Sequence, residues 1–351
     1  MFLSVLTQSI VLFIVTFFLI KYFIKLAPKL SLVDVPNNRS SHKIETPRGA
    51  GIVFGAVFIL GFILFNFDLI FEHKLTIIAI FIVFLTGIYD DVYEIRSRTK
   101  FLWLIVATAF LYMDGLEVTS IGSYFGYEIS LGVLALPFTI FAVVGFTNAI
   151  NLTDGLDGLA SSISIVILST LAYVGYLNND EFLIFGPCLL ISVLFAFLIF
   201  NWNPAKVFMG DSGSLVLGFV ISIFAIKALP YIDPVAFLFL GGMPILDTMV
   251  VIRRRRQRGV SPFVADKNHL HHILYRYKLD KKFTVRMLIM LQAIFSLIFI
   301  QIMHADAIIT LALFILLYVV FFNLFDPRMR VRTRKGKKKK EFKFKNFVIS
   351  L

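Results

Sequence analysis

The sequence has few charges and almost no cysteine for its length. Of its 351 residues only 16% are charged, against about 25% in an ordinary soluble domain. Cys188 is the sole cysteine, which excludes a disulfide-bonded scaffold. The chain is instead apolar, with 58% hydrophobic residues and a mean hydropathy of +0.86. That excess excludes a disordered chain, and it excludes a soluble protein because a fold of this size could not hide so much apolar surface from water.

The apolar residues cluster into segments that suit a lipid bilayer. A helix needs about 20 predominantly apolar residues to cross the hydrocarbon layer. Candidate spans lie at 3–26, 50–67, 75–89, 101–114, 132–150, 159–177, 182–200, 213–229, 234–252, 284–303 and 306–325. We therefore predict an all-α, polytopic integral membrane helical bundle of about 11 transmembrane helices. The glycine-interrupted segment 115–131 is too broken for a span and predicts a short surface hairpin or an interfacial segment.

The basic residues predict the orientation of the bundle, because loops rich in Lys and Arg stay on the cytoplasmic side. The chain has 34 Lys and Arg against 22 Asp and Glu, a net charge of +12. Lys21 and Lys25 follow the first span, and the loops on that side contain most of the basic residues. The opposite loops contain only Lys74 and Lys227. We expect the N-terminus outside and the C-terminus in the cytoplasm.

The end of the chain is a low-complexity segment rich in Lys and Arg. We divide the chain into a membrane domain, 1–325, and a polybasic cytoplasmic tail, 326–351. A polybasic segment next to a span attracts anionic lipid headgroups. Anionic lipid is therefore the expected partner of the tail, and no nucleic acid is expected to bind.

Polar side chains concentrate in the loops on the basic side. These loops are 27–49, 89–100, 148–158, 201–214 and 253–283. Asp90 and Asp91 are adjacent carboxylates at the end of a span, where acid opposes the helix dipole, so a simple helix flank is a weak explanation. Two such close charges suit a general base or a divalent-cation site. In the first loop, Arg48 suits a phosphate contact or a plain basic anchor.

The third and fourth loops combine carboxylates with amides. Asn148, Asn151, Asp154 and Asp157 surround a turn between two spans. Asp-Gly pairs form turns on their own, but carboxylates without a local basic partner also indicate an external ligand. In the fourth loop, Asp211 precedes a span and is either a helix cap or a ligand.

The fifth loop combines an acid inside a span with histidines beyond it. Asp247 lies within the ninth span, where an ionisable group is functional or paired by default. His269, His271 and His272 follow in the loop. A zinc site is disfavoured because neither a His-Glu-x-x-His pattern nor a cysteine partner is present. Phosphate contact is the better interpretation, and carboxylate and amide oxygens elsewhere favour Mg²⁺ or Mn²⁺. The residues alone thus predict an enzyme that transfers phosphate or handles diphosphates.

Two motifs in these loops are specific enough to suggest a family. They are NLTDGLDGLA at 151–160 and FMGDSGSL at 208–215. Together with the acidic pair and the histidine motif they resemble the polyprenyl-phosphate N-acetylhexosamine-1-phosphate transferase family, over roughly residues 5–325. The first-loop segments 39–42 and 46–49 and the His-Leu-His-His motif at 269–272 are similar to the branch that initiates O-antigen and related glycans.

The resemblance implies an activity and its substrates. The donor would be UDP-GlcNAc or a related UDP-N-acetylhexosamine, the acceptor undecaprenyl phosphate, and the released product UMP. The protein would be a multi-pass protein of the bacterial inner (cytoplasmic) membrane, and we also consider a homodimer. The same resemblance leaves open which sugar is transferred, which glycan is made, and whether attack is direct or passes through an acyl-phosphate; we prefer direct attack.

The resemblance also suggests a role for each candidate residue. Asp211 is the expected ligand of Mg²⁺, with Asn151 as the second ligand and Mn²⁺ as the alternative ion. Asp90 and Asp91 are the candidates for deprotonating the lipid phosphate or for a role near the metal, and the expected catalytic residues are Asp90, Asp91 and Asp211. The expected substrate-binding residues are Arg48, Asn148, Asp154, Asp157, Lys206, His269, His271 and His272.

Three other functions are weighed against this one. The peptidoglycan lipid-intermediate translocase of the same family has three consecutive histidines, unlike the motif here. A transporter or lipid flippase would need charged residues along a path through the bilayer, and only Asp247 partly qualifies. It would also show the internal repeats common in transporters, which this sequence lacks. A lipid-diphosphate phosphatase would release inorganic phosphate and need no UDP-sugar.

Overall fold

A computed structural model of the chain describes residues 2–36, 45–259, 269–270, 273–274 and 280–325. The α-helices are α1 Phe2–Leu26, α2 Gly51–Phe65, α3 Phe67–Glu72, α4 Lys74–Tyr93, α5 Ser97–Met113, α6 Ala135–Thr153, α7 Leu159–Asn178, α8 Glu181–Asn201, α9 Asp211–Ala228, α10 Phe237–Leu240, α11 Gly242–Gln257, α12 Lys281–Ile302 and α13 Ala307–Phe325. Four short strands form two hairpins: β1 Val33–Asp34 pairs with β2 Thr46–Pro47, and β3 Ser120–Tyr124 pairs with β4 Tyr127–Ser130.

The described helices confirm an all-α polytopic membrane protein. Eight of them are long and apolar enough to cross a bilayer, or nine if the bent pair α10–α11 counts as one span. Ten predicted spans each coincide with one helix, and the span 234–252 coincides with the bent pair α10–α11. Helix α2 has only 15 residues and α5 has 17. The total of about 11 spans and the sides of the two termini stay predictions. The predicted division at residue 325 also stays a prediction, because 326–351 lies outside the described residues.

The predicted span 234–252 is not a single straight helix. Its two halves, 234–240 and 242–257, meet at an angle of 87°. The backbone groups released by this break are bound by a side chain of α12. The Gln292 amide donates to the Leu240 carbonyl at 2.8 Å, and the Met243 N–H donates to Gln292 Oε1 at 3.2 Å. Broken helices are tolerated at membrane depth when neighbouring groups satisfy the freed backbone in this way.

Helix α9 is the centre of the bundle. All its residues from 212 to 226 are buried, and α2, α4, α6, α7 and α8 pack around it. Small residues allow the close approach. A Cβ on Gly51 of α2 would lie 2.0 Å from the backbone nitrogen of Gly213, and one on Gly87 of α4 would lie 2.5 Å from Ser212 Cα. Glycine at these positions brings both helices onto the first turn of α9, as small residues do at many membrane helix interfaces.

The peripheral helices turn most of their surface to lipid. In α1 the buried residues are Leu12, Thr16, Ile20 and Phe23, which form one narrow stripe. Spacings of three and four residues place a stripe on one helix face. The remaining faces of α1 are largely exposed and apolar, as expected of a helix at the rim of a membrane bundle.

The segment 115–131 forms a β-hairpin, which confirms one of the two predicted structures. β3 and β4 pair in antiparallel register, with Ser120 opposite Ser130 and Tyr124 opposite Tyr127. The hairpin leads into the beginning of α6, whereas Asn151 lies near the end of α6. The hairpin and the predicted catalytic loops therefore lie at opposite ends of the bundle.

Candidate active site

A lysine joins two of the predicted catalytic carboxylates. Lys100, in the first turn of α5, donates a hydrogen bond to Asp90 Oδ2 at 2.7 Å and a short one to Asp211 Oδ2. Asp90 lies in the last turn of α4 and Asp211 begins α9, so three helix ends meet at this ammonium group. The other oxygen of Asp90 accepts a hydrogen bond from the Ile95 N–H at 2.9 Å. The Asp211 side chain keeps 25% of its surface exposed, which leaves it open to a ligand.

Asp91 has different surroundings from its neighbour Asp90. Its two carboxylate oxygens accept hydrogen bonds from the backbone N–H groups of Asp211, at 2.9 Å, and Ser212, at 3.1 Å. These N–H groups belong to the first turn of α9, which has no helical partner for them. Gly210 has a φ of +75°, and a Cβ there would lie 2.5 Å from the Asp91 carboxylate. Asp91 therefore caps α9 from another helix, and its deprotonating role stays a prediction.

Asn151 connects the end of α6 to the start of α9. Its side-chain amide donates to Asp211 Oδ1 at 3.1 Å and to Ser214 Oγ at 2.8 Å. The two residues predicted to bind Mg²⁺ are thus in direct contact. Asn148 lies one turn earlier on α6 and is half-buried. Among the described residues, no group of three His, Cys, Asp or Glu could hold a metal ion.

The donor set nevertheless suits a hard cation that shares its ligands with a substrate. Mg²⁺ is usually held by one or two carboxylates together with substrate phosphates, and it rarely has a complete protein cage. The partly exposed carboxylate of Asp211 and the neighbouring Asn151 amide are ligands of this kind. The residues present therefore fit the predicted ion.

Arg48 is positioned by the first hairpin at the same end of the bundle. It follows β2, and the Phe208 N–H donates to the Pro47 carbonyl at 2.8 Å, which ties the first loop to the fourth. Arg48 Nη2 donates to the Asp91 carbonyl at 3.1 Å and to Glu94 Oε1 at 3.2 Å. The guanidinium group thus lies beside the acidic pair, and its phosphate contact stays a prediction.

Asp154 follows the last residue of α6 and is half-buried. Burial, followed by the charges of Asp211, Asp157 and Asp91, raises the pKa of Asp154 to about 7, from an ordinary value of 3.8. Four carboxylates are therefore close enough to interact electrostatically. Such repulsion is relieved by a proton or by a bound cation.

Asp157 and Asp154 have different environments, although the sequence predicts substrate contact for both. Asp157 is buried, and its Oδ2 accepts from the Asn203 amide at 2.6 Å and the Ala205 N–H at 3.3 Å. Asn201 reinforces this join, since its Oδ1 accepts from the Gly158 N–H at 2.9 Å. The Asp157 side chain therefore links the third loop to the fourth. Lys206, in the fourth loop, is exposed.

The fifth loop contributes one described histidine. Nδ1 of His269 lies 3.0 Å from Oδ2 of Asp247, and the Leu270 N–H donates to Asp247 Oδ1 at 2.7 Å. Both side chains are buried, so the acid within α11 is paired, as the sequence predicts. A carboxylate on one ring nitrogen fixes the orientation of an imidazole. His271 and His272 lie outside the described residues, as do 37–44 of the first loop and most of 260–279.

Comparisons with known proteins place the chain in a family. Residues 74–229, which include α4 to α9 with Asp90, Asp91, Asp154, Asp157 and Asp211, match the model of glycosyl transferase family 4. A Bacillus subtilis (strain 168) protein named probable undecaprenyl-phosphate N-acetylglucosaminyl 1-phosphate transferase is 34% identical over 305 residues, covering 85% of this chain and 84% of its own. The chain belongs to glycosyl transferase family 4.

Two further relatives named undecaprenyl-phosphate alpha-N-acetylglucosaminyl 1-phosphate transferase are more distant. The Yersinia pestis protein is 30% identical and covers 72% of both chains. The protein of Escherichia coli (strain K12) is 29% identical, covering 78% of this chain and 77% of its own. Membership of family 4 confirms the resemblance stated from the loop motifs.

Several residues of the site in this family 4 protein could not be recognised from the sequence alone. In the sequence Lys100 is one of many basic residues on the predicted cytoplasmic side, yet in the structure it contacts both Asp90 and Asp211. A lysine near the start of an apolar segment was the available signal. Ser214 and Asn203 lie in the fourth loop, but nothing in the sequence distinguishes them as partners of Asn151 and Asp157.

Proposed function

We propose that this family 4 protein transfers N-acetylglucosamine-1-phosphate from UDP-GlcNAc to undecaprenyl phosphate and releases UMP. The observation that carries the proposal is the joining of Asp90 and Asp211 by Lys100 at one end of the bundle. The relatives named above support the sugar and the lipid acceptor. The reaction forms a bond between a lipid phosphate oxygen and the β-phosphorus of the donor, and it breaks the bond between that phosphorus and UMP.

The charges of the site suit a reaction between two anions. Phosphoryl transfer is catalysed mainly by positioning and by neutralising phosphate charge. Lys100 and Arg48 supply fixed positive charge next to the carboxylates. His269, oriented by Asp247, is proposed to contact the diphosphate together with His271 and His272. Lys206 is exposed at the same end and is a further phosphate contact in this proposal.

Asp90 is the better placed of the two adjacent acids to accept a proton from the lipid phosphate. Both oxygens of Asp91 are occupied by the backbone of α9. Asp90 Oδ2 instead contacts a lysine that also reaches the partly exposed Asp211. Asp154 and Asn148 are proposed to contact the nucleotide or the sugar, while Asp157 is proposed to hold the loop that faces them.

The residues that would hold Mg²⁺, or Mn²⁺ in its place, are Asp211 and Asn151. When bound, the ion would neutralise negative charge on the transferred phosphate. The carboxylate of Asp211 would then be shared between the ion and Lys100, which keeps α5 and α9 together at the site.

The cellular setting is part of the same proposal. We place the protein in the bacterial inner membrane, with the site, the C-terminus and the tail 326–351 on the cytoplasmic side, where UDP-sugars are made. The tail is proposed to bind anionic lipid, and a homodimer is retained as a proposal. The transfer would be the first membrane step of a surface glycan such as O-antigen, common antigen, teichoic acid or capsule.

The test is a reconstituted transfer assay. Purified protein in liposomes would receive UDP-sugar labelled in the sugar, with or without undecaprenyl phosphate and with Mg²⁺, Mn²⁺ or EDTA. We expect labelled lipid and an equal amount of UMP only when lipid phosphate and metal are both present. An Asp211→Ala variant with full activity would remove the metal assignment.

The same assay separates the alternatives. A donor panel of UDP-GlcNAc, UDP-GalNAc and UDP-MurNAc-pentapeptide distinguishes a glycan-initiating enzyme from the peptidoglycan translocase. Movement of labelled lipid between leaflets without covalent product would indicate a transporter. Inorganic phosphate released without UDP-sugar would indicate a phosphatase, and either result would overturn the proposed transfer.

A further inference from the structure

The tip of the β3–β4 hairpin contains an unusual residue. Tyr124 pairs with Tyr127, so the turn consists of Phe125 and Gly126, with φ of 54° and 81°. Two-residue turns with both φ values positive strongly prefer Asn or Asp followed by Gly. A bulky aromatic residue with positive φ is an outlier whose backbone is strained. Phenylalanine at this position is therefore unfavourable for the turn itself.

The hairpin tip also exposes apolar side chains, which is unfavourable in water. Phe125 is 84% exposed, Tyr127 is 79% exposed and Ile129 is 44% exposed. Glu128 is the one charged residue among 120–130. An apolar tip that is both strained and uncovered indicates a contact outside the chain.

The position of the hairpin identifies that contact as lipid. The hairpin connects α5 to α6, and the apolar segment that continues into α6 begins at Gly132, two residues after β4 ends. Val133, Leu134 and Phe141 continue the exposed apolar surface from the hairpin along α6, with exposures of 95%, 59% and 73%. The tip is thus followed along the chain by the exposed apolar surface of a membrane-spanning helix.

The hairpin is held firmly enough to keep the tip at a fixed height. The Ser123 N–H donates to Asp233 Oδ2 at 3.3 Å, and Asp233 Oδ1 accepts from the Val235 N–H at 2.9 Å. A Cβ on Gly122 would lie 2.9 Å from the same carboxylate. The base of the hairpin therefore packs closely on the segment that precedes α10, and the aromatic tip projects away from it.

We propose that the hairpin tip, Phe125 with Tyr127 and Ile129, inserts into the boundary between headgroups and acyl chains of the leaflet opposite the candidate active site. Aromatic side chains favour this depth because they combine an apolar ring with tolerance of nearby polar groups. The absence of a basic residue among 120–130 fits a contact made by apolar rings without charge attraction to anionic lipid. The hairpin would then fix the height of the outer ends of α5 and α6.

The experiment measures the depth of the tip directly. Phe125→Trp and Tyr127→Trp would each be made in a Trp103→Phe, Trp202→Phe background and reconstituted in nanodiscs. Lipids brominated at successive acyl positions report depth, and aqueous iodide reports exposure to water. We expect both tryptophans to emit at short wavelength, to be quenched most by the shallowest bromines, and to be protected from iodide.

Asn179 provides the matched control. Asn179 has the same φ of 54° as Phe125, is exposed, and follows α7 at the same end of the bundle as the hairpin. The native side chain at this position is polar. We expect Asn179→Trp in the same background to emit at longer wavelength and to be quenched by iodide. Elution and melting like those of the background protein would establish that each variant is folded.

Two results would overturn the proposal. Strong iodide quenching of both tip tryptophans, as in Asn179→Trp, would place the tip in water. Protection of the tip from both iodide and brominated lipid would show that protein covers it, such as a second copy of the chain. Both readings are independent of the transfer assay, so failure of the proposed function would leave this test unaffected.

Discussion

The backbone N–H of Asp211 donates a hydrogen bond to the side chain of Asp91 at 2.9 Å, although 120 residues separate the two. This contact places the C-terminal end of α4 against the N-terminal end of α9. The helix macrodipole favours a carboxylate at that position. Asp91 thus holds the site together, which leaves Asp90 available for the chemistry.

The first prediction separates the two adjacent acids. Asp91→Asn should lower the melting temperature by several degrees, because an amide group cannot accept both N–H bonds and lost helix caps cost about 1–2 kcal/mol. Asp90→Asn should melt near the wild-type temperature but lose most UMP release, because its Oδ1 can still accept from Ile95. Thermal unfolding in detergent and the transfer assay measure the two effects. A stable Asp91→Asn with a large loss of rate would reverse the assignment.

The second prediction concerns Lys100. Lys100→Met keeps the apolar stem but leaves Asp90 and Asp211 without the cation that they share. We expect the transfer rate to fall about 100-fold or more, the size of effect found when one charge-stabilising donor is removed from an active site. Arg98→Met is the matched control, since Arg98 lies in the same helix and is exposed. Equal rates for the two variants would exclude a catalytic contribution of Lys100.

The third prediction is a pH dependence of stability at Asp154. Its folded-state pKa of about 7 lies above the ordinary 3.8, so between these values the folded protein holds a proton that the unfolded chain releases. Folding stability should therefore fall as the pH rises through 7. Asp154→Asn, which resembles the protonated acid, should raise the melting temperature more at pH 8 than at pH 5, because pH 5 lies only a little above the ordinary pKa of 3.8. The melts require EDTA, so that no divalent cation compensates the charge, and an identical change at both pH values would contradict the prediction.

The fourth prediction uses two glycines in helices. Gly51→Ala should lower both the melting temperature and the transfer rate, because its methyl group would lie 2.0 Å from the backbone of α9, next to Asp211. Gly145→Ala, in α6, should be tolerated or slightly stabilising, because that position faces open space and alanine favours a helix over glycine. Similar melting of the two variants would contradict the close packing of α2 on α9.

Much of the fold could be predicted from the sequence. Bilayer thickness sets the length of an apolar span. The apolar residues of each span are close together in the sequence, so the positions of the spans needed no tertiary information. The polar loops could be assigned to one end of the bundle because successive spans alternate in direction. The motifs at 151–160 and 208–215 were enough to suggest the family.

The individual contacts could not be predicted in this way. Whether Asp91 caps a helix or meets a substrate depends on the backbone of α9, and whether Asp157 faces a ligand depends on Asn203. The 87° break between α10 and α11 depends on Gln292, which is contributed by another helix.

The sequence by itself therefore determined that the chain is a membrane bundle with a polar, acidic site at one end, because hydrophobic length and charge distribution are properties of local composition. Only the tertiary structure decided that Asp91 caps α9, that Asp157 links two loops, and that Asp90 and Asp211 share Lys100. Those roles depend on distances between helix ends that lie up to 120 residues apart, and hydrogen bonds act over about 3 Å.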